Sequence, residues 1–312
     1  MSTATAAIKA KQRPGDRVFS GSAVFAGSMI LVTLAAVALF LIVQSLPALV
    51  ATNEEASILP TNFWAYVGPL IFGTIWAAAL ALLMAVPVSI GIALFISHYA
   101  PRRLASMLGY IVDLLAAVPS VVFGLWGIGV LAPAVQPVYS WLVDNLGWFP
   151  LFAGPVSGTG RTIFTAAIVL AVMVLPIMTA ISREVFLQTP VLHEEAALAL
   201  GATRWEMIRT AVLPFGRSGI ISAAVLGLGR ALGETMAVAM VLSATGAVTL
   251  ELLTSVNPST IAANIALSFP EAYGMNVNVL IATGLILFIV TFAVNAFARW
   301  IVSRRKEFSG AN

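Results

Sequence analysis

The chain contains no cysteine and only two histidines, His98 and His193. The first absence excludes a disulfide framework and a thiolate metal site. His193-Glu194 begins like a zinc-protease motif, but Ala197 stands where the second histidine is required, so there is no H-E-x-x-H metal site. Neither histidine falls in an apolar run, which argues against a buried serine–histidine dyad. No GxxxxGK[ST] sequence occurs, so the chain has no P-loop for ATP, and any ATP-derived energy must come from another polypeptide. Charge is scarce as well. Only 9% of the 312 residues are Asp, Glu, Lys or Arg, against about 25% in soluble globular proteins. With 60% hydrophobic residues, such a chain is solvated largely by lipid. The basic residues lie in small groups between apolar runs, a pattern of membrane topology and not of a nucleic-acid surface. No internal repeat or soluble domain is visible.

What is present is a series of six apolar runs, at 23–43, 69–96, about 107–135, 162–181, 218–241 and 276–300. Roughly 20 helical residues, at ~1.5 Å each, cross the hydrocarbon core. The first run exceeds the roughly 7–15 residues of a signal-peptide core, so it reads as an uncleaved span. The expected fold is therefore all-α, a polytopic transmembrane bundle of about six spans. Residues 1–20 form a basic cytosolic tail, 21–302 the membrane domain, and 303–312 a second cytosolic tail. Loops 46–66, 136–161 and 246–275 read as outer loops, and 98–103 as an inner turn. Charge placement agrees: of the sixteen Lys and Arg residues, only Arg161 falls in an outer loop and Arg230 inside a helix. That asymmetry puts both termini in the cytosol. Asp113 reads as a shallow intramembrane charge with a structural role. Pro87, Pro119 and Pro176 read equally well as hinges or static kinks.

Between the fourth and fifth runs lies a polar elbow, 189–214. Thr189 and Pro190 form a helix start, with a capping hydroxyl followed by a first-turn proline. Gly201 ends that helix, a residue that takes a positive φ at little cost. Thr203 with Glu206 forms a capping box for a second helix, and Pro214 is expected to stop it before the membrane is re-entered. Glu194 and Glu195 sit near the start of the first helix, where its dipole favours acid.

The fifth run holds Gly229, Arg230, Gly233, Glu234 and Thr235. An arginine at mid-membrane costs at least ~2.5–3.5 kcal/mol, so it must be paired or line a wet path. Glu234 is four residues on, on the same helical face, so the two side chains can meet. Either the pair serves packing alone, or Arg230 binds an anion while Glu234 tempers it. Gly229 and Gly233 have the spacing of a close helix–helix contact.

Glu195-Ala196-Ala197, Gly201 and Leu213-Pro214, with Ala211 at an isoleucine position, resemble the EAA signature of ABC-importer permeases (E-A-A-x3-G-x9-I-x-L-P). Arg230 to Val238, Val118 to Gly127 and Phe72-Gly73-Thr74 are similar to the C-type permease subunits of bacterial phosphate ABC importers. The resemblance covers the chain from about Pro69 onward. It implies a permease domain in the bacterial plasma membrane, with the elbow as a coupling helix held by the ATPase. Glu194, Glu195, Ala196, Ala197, Gly201, Leu213 and Pro214 would serve coupling, and Arg230, Glu234 and Thr235 the substrate path. It further implies a homologous second permease, two cytosolic ATPase subunits and an extracytoplasmic phosphate-binding protein. Inorganic phosphate would be the substrate. The chain itself would bind no cofactor, ATP and Mg being used by the ATPase, and would not be an enzyme. The rival expectations are another oxyanion, such as sulfate or molybdate, or an ATPase-independent secondary transporter.

Overall fold

The computed structural model describes residues 14–303, with side chains over 15–300. Lys9, Lys11 and Arg13 of the expected N-terminal tail, and Arg304, Arg305 and Lys306 of the C-terminal one, lie outside the described residues. The elements are helices: α1 (Pro14–Val50), α2 (Phe63–Leu94), α3 (Arg102–Ala116), α4 (Ser120–Trp126), α5 (Ala132–Leu146), α6 (Ile163–Leu187), α7 (Val191–Ala199), α8 (Arg204–Met207), α9 (Leu213–Leu232), α10 (Met236–Val241), α11 (Ile261–Ser268) and α12 (Met275–Ser303). Single π-helical turns extend α2 (Phe95–Tyr99), join α4 to α5 (Gly127–Leu131) and join α8 to α9 (Ile208–Val212). Among the described residues no strand forms. Six helices are long and apolar enough to cross a membrane: Gly15–Val50, Phe63–Tyr99, Ser120–Leu146, Ile163–Leu187, Arg204–Leu232 and Met275–Trp300.

The bundle is built around α6. In its most apolar stretch 67% of residues are buried, against 0% in α1. Ala166, Ala167, Leu170, Val174 and Met178 of α6 share one core with Ala77, Ala78, Ala81 and Ala85 of α2. Those alanines give α2 a smooth face, and small residues allow close approach where lipid supplies no hydrophobic drive. Thr162 caps α6 by accepting from the Thr165 amide at 3.2 Å. α1 rests mainly on α12. The start of α12 packs with the start of α2, through Val279, Ala282, Phe63 and Val67. The ends of α2 and α6 meet the elbow through Ala93, Leu94, Phe186, Met207, Ile208 and Val212. One end of the bundle therefore carries the elbow, and α12 runs toward it.

The structure refines or departs from the sequence expectations in several places. Helix α1 begins at Pro14, so residues 14–20 of the expected tail are helical and continuous with the first span. The third span is Ser120–Leu146, not 107–135. Residues 102–116 form the separate amphipathic α3, and Pro119 separates the two by capping α4. Asp113 thus lies exposed on α3 outside any span, beside a small cleft shared with Arg183 and Glu184. Residues 136–146 of the expected second outer loop, including Trp141, are helix α5, and the third outer loop contains α11. The fifth span stops at Leu232, short of the expected Val241. Helices α2 and α6 each contain their proline, Pro87 and Pro176, within one unbroken element, which leaves both readings of those prolines open.

Candidate functional site

The elbow is built as its local chemistry dictates from Gly201 onward. Gly201 adopts φ +85°. Its amide donates to Leu198 O at 2.9 Å, and the Ala202 amide donates to Ala197 O at 3.2 Å. These are the two bonds of a Schellman ending, which requires a left-handed residue. Thr203 and Glu206 form the reciprocal capping box. The start of α7 differs from expectation: Pro190 occupies the cap position without a side-chain bond, and the Thr189 hydroxyl is buried without a partner. Pro214 does not stop the second helix either. It sits in the first turn of α9, and α8, the π turn and α9 run on as one rod. Proline lacks an N–H and crowds the carbonyl four residues back. The wide turn, closed by the Leu213 amide on Ile208 O, relieves that conflict, as π turns do within helices.

The elbow residues divide by environment. Glu195, Ala196, Gly201 and Pro214 are exposed. Ala197 and Leu213 pack against the Phe186–Met207–Ile208–Val212 cluster. No residue of α7 is fully buried, and Leu192, Leu200 and Trp205 are exposed at 76%, 91% and 55%. An exposed apolar turn of this kind marks a protein-contact surface. Glu194 reaches back to the bundle: His98 Nε2 lies 3.3 Å from its Oε1, while His98 Nδ1 lies 2.7 Å from the Ser97 hydroxyl. Sequence spacing gave no hint of this contact, since the two residues are 96 apart.

The second site is the break after α9. Gly233 ends the helix with its amide on Gly229 O, and Glu234 and Thr235 form the bend before α10. The expected Arg230–Glu234 pair does not form. Glu234 is buried, and its Oε1 accepts from the Ala237 amide at 3.1 Å, covering the first turn of α10. The i,i+4 rule fails here because the helix that would align the two residues has ended. The Thr235 hydroxyl donates to Gly233 O at 3.3 Å. Arg230 is half-buried. With Gly229 it lines a cavity of about 1050 Å³ between α6, α9 and α12. Gly229 therefore widens that cavity, since no neighbour lies within 4 Å of where its Cβ would be. The close helix contact expected there is made by Gly227 instead, whose Cβ would meet Met178 Sδ at 2.8 Å.

The residues that carried the family resemblance assemble around this break. A Cβ on Gly124 would lie 3.1 Å from Ala237 Cα, and one on Gly127 would lie 2.7 Å from side-chain atoms of Val169 and Val241. These glycines let α4 close on α10. A Cβ on Gly73 would collide with Ser259 O. Next to it, Thr74 accepts from the Ile261 amide at 2.9 Å, holding the first turn of α11. The loop between α10 and α11 is locked by Asn257, a residue that sequence reasoning missed. Its Oδ1 accepts from the Ile163 amide at 3.0 Å. Its Nδ2 donates to Ser243 O and Thr254 O, both at 3.1 Å, and to Arg161 O at 3.4 Å. Arg161, the one basic residue assigned to an outer loop, donates to Met240 O at 3.0 Å at the end of α10.

An apolar six-span bundle, an exposed helical elbow at one end and a helix broken beside an unpaired arginine define a class: a membrane transport component worked from outside itself. Residues 86–307 match the family described as binding-protein-dependent transport system inner membrane component, and the chain belongs to that family. It is a multi-pass membrane protein. Among curated relatives, the "Phosphate transport system permease protein PstC 2" of Mycobacterium bovis is 50% identical over 301 residues, covering 93% of this chain and 92% of the relative. The "Phosphate transport system permease protein PstC" of Mesorhizobium japonicum is 39% identical over 308 residues, covering 95% and 92%. Among solved structures, a bacterial ABC transporter involved in the import of the acidic polysaccharide alginate shares the fold, with a TM-score of 0.58. Its identity is 18%, over 93% of this chain and 99% of that one.

Proposed function

We propose that the chain is the permease subunit of an ATP-binding-cassette importer that carries inorganic phosphate inward across the bacterial plasma membrane. The observation that carries this reading is its near full-length likeness to phosphate transport permeases, one of them 50% identical. In this reading both termini and the elbow face the cytosol, in keeping with the distribution of Lys and Arg. The partners are a homologous second permease, two ATPase subunits at the elbows and a phosphate-binding protein outside. ATP and Mg are used by the ATPase; this chain binds neither.

The mechanism follows from the two sites. The exposed turn with Glu195, Ala196 and Leu200 seats in a groove of the ATPase. Closure of the ATPase dimer on ATP pushes the elbow, and the push passes along the unbroken rod from α8 into α9. That rod ends at the bend beside Arg230, so its movement is delivered where the anion passes. Arginine suits phosphate because its planar fork donates two hydrogen bonds at once. Glu234 holds the start of α10 and so fixes the bend, and Thr235 lines it. A half-buried, unpaired arginine attracts an anion without a closed cage that would retain it.

The test is uptake of radiolabelled phosphate by the reconstituted complex, with sulfate as competitor. Phosphate uptake that excess sulfate leaves intact is expected, and equal inhibition by sulfate would defeat the substrate assignment. Arg230→Gln is expected to abolish uptake while the complex still assembles. Lost assembly would instead assign Arg230 to packing.

A further inference from the structure

The cavity beside Arg230 holds more than that arginine. Its wall combines Ile177 and Ile181 of α6 and Gly229 and Arg230 of α9 with Asn295 and Arg299 of α12. Asn295 and Arg299 are four residues apart, so they share one face of α12, about 6 Å apart along its axis. Because α12 runs toward the elbow and α9 away from it, Arg230 sits at the deep end of α9 and Arg299 near the elbow end of α12. No carboxylate lines the cavity. Among the described residues the one ion pair within 4 Å is His98–Glu194, so neither guanidinium is neutralised. The carbonyl oxygen of Asn295 is buried without a hydrogen-bond partner.

Arg230 is half-buried and unpaired within a span, where an arginine is costly, and Arg299 is a second unpaired cation on the same wall, exposed toward the elbow end. An anion beside Arg230 offsets that cost, and Arg299 is the next cation it meets. The unbonded Asn295 carbonyl oxygen can only accept, and a protonated phosphate oxygen supplies the O–H donor it lacks, while the tetrahedral oxyanion matches an arginine fork. We propose that Arg299, with Asn295 beside it, holds a phosphate group in this cavity, as a second station after Arg230 on the way to the elbow end. The proposal rests on the reading of Arg230 given above and extends it toward release. An anion leaving one arginine meets another, and passage between weak sites is how a path conducts without trapping. The phosphate group has two possible sources: the transported ion, or the headgroup of an anionic lipid entering beside the exposed face of α12.

The test uses the complete importer reconstituted in vesicles of phosphatidylcholine alone, and in vesicles that also contain phosphatidylglycerol. Arg299→Gln and Asn295→Ala are compared with Arg230→Gln for phosphate uptake, complex assembly and co-purified anionic lipid measured by mass spectrometry. Arg299→Gln is expected to lower maximal uptake roughly tenfold or more in both membranes, the loss of one charge-assisted contact. Assembly should be unchanged, and Arg299→Lys should recover part of the uptake. If Arg299→Gln leaves uptake intact in phosphatidylcholine but sheds bound phosphatidylglycerol, the occupant is a headgroup, and the role as a transport station is overturned. If neither uptake nor bound lipid changes while Arg230→Gln still blocks uptake, the site is refuted and the function stands. Uptake that survives Arg230→Gln overturns both.

Discussion

Replacing Gly201 isolates the elbow from everything else in the molecule. The residue has φ +85°, and nothing lies within 4 Å of where a Cβ would be. A side chain there meets no steric obstacle, so the whole cost is conformational. For an L-residue the left-handed region costs roughly 1–2 kcal/mol, and a difference of that size changes a population by a factor of about 5–30. Because α7 has no fully buried residue, a disfavoured elbow rearranges on its own and leaves the bundle intact. Gly201→Ala should therefore cut ATP-driven phosphate uptake by about 5–30-fold, with little change in the thermal unfolding of the purified complex. Asparagine tolerates positive φ and should retain most uptake, while a β-branched valine should retain least. The measurement is initial uptake in proteoliposomes containing the ATPase and the binding protein. An order other than Gly, Asn, Ala, Val would refute the argument, and so would an asparagine variant as impaired as alanine.

Other perturbations probe the break and its supports. Asn257→Asp should be nearly as destabilising as Asn257→Leu, because a carboxylate oxygen would face the carbonyls of Ser243, Thr254 and Arg161. The expected loss is about 3 kcal/mol or more, from several buried groups left unpaired, and thermal unfolding in detergent measures it. An Asp variant as stable as wild type would refute the donor assignment. Gly73→Ala should destabilise by about 1–3 kcal/mol through overpacking against Ser259 O; an unchanged unfolding midpoint would show that the 257–260 loop yields.

Hydropathy and positive-residue placement exposed the six spans and the elbow because both signals are local. The third span was misplaced because the apolar face of α3 adjoins α4 in sequence, and only Pro119 marks the join. The break at Gly233 was hidden because Gly-Glu-Thr interrupts an apolar run too briefly to lower its mean, although a glycine followed by a carboxylate is a fair sign of an ending helix. Pro214 misled for a physical reason. A proline stops a regular α-helix, but the π turn at Ile208–Val212 takes up the misfit. Asn257 was out of reach of any sequence pattern. Its partners come from residues 161, 163, 243 and 254, so only the folded chain defines it. Arg299 was counted only as an inner charge, because the cavity that makes it the counterpart of Arg230 is formed by three helices distant in sequence.

The first helix of this chain leans on the last. Asn278 Nδ2 donates to Gln44 O at 2.8 Å and lies 3.1 Å from Gln44 Oε1, across 234 positions of sequence. At about 5–20 residues per second, ribosomes need roughly 12–47 s to make that interval. For that time α1 stands in the lipid without its main neighbour, and the bundle is completed only when its final segment emerges. A transcript truncated before α12 would leave a lone anchor, unable to close the molecule and exposed to membrane quality control.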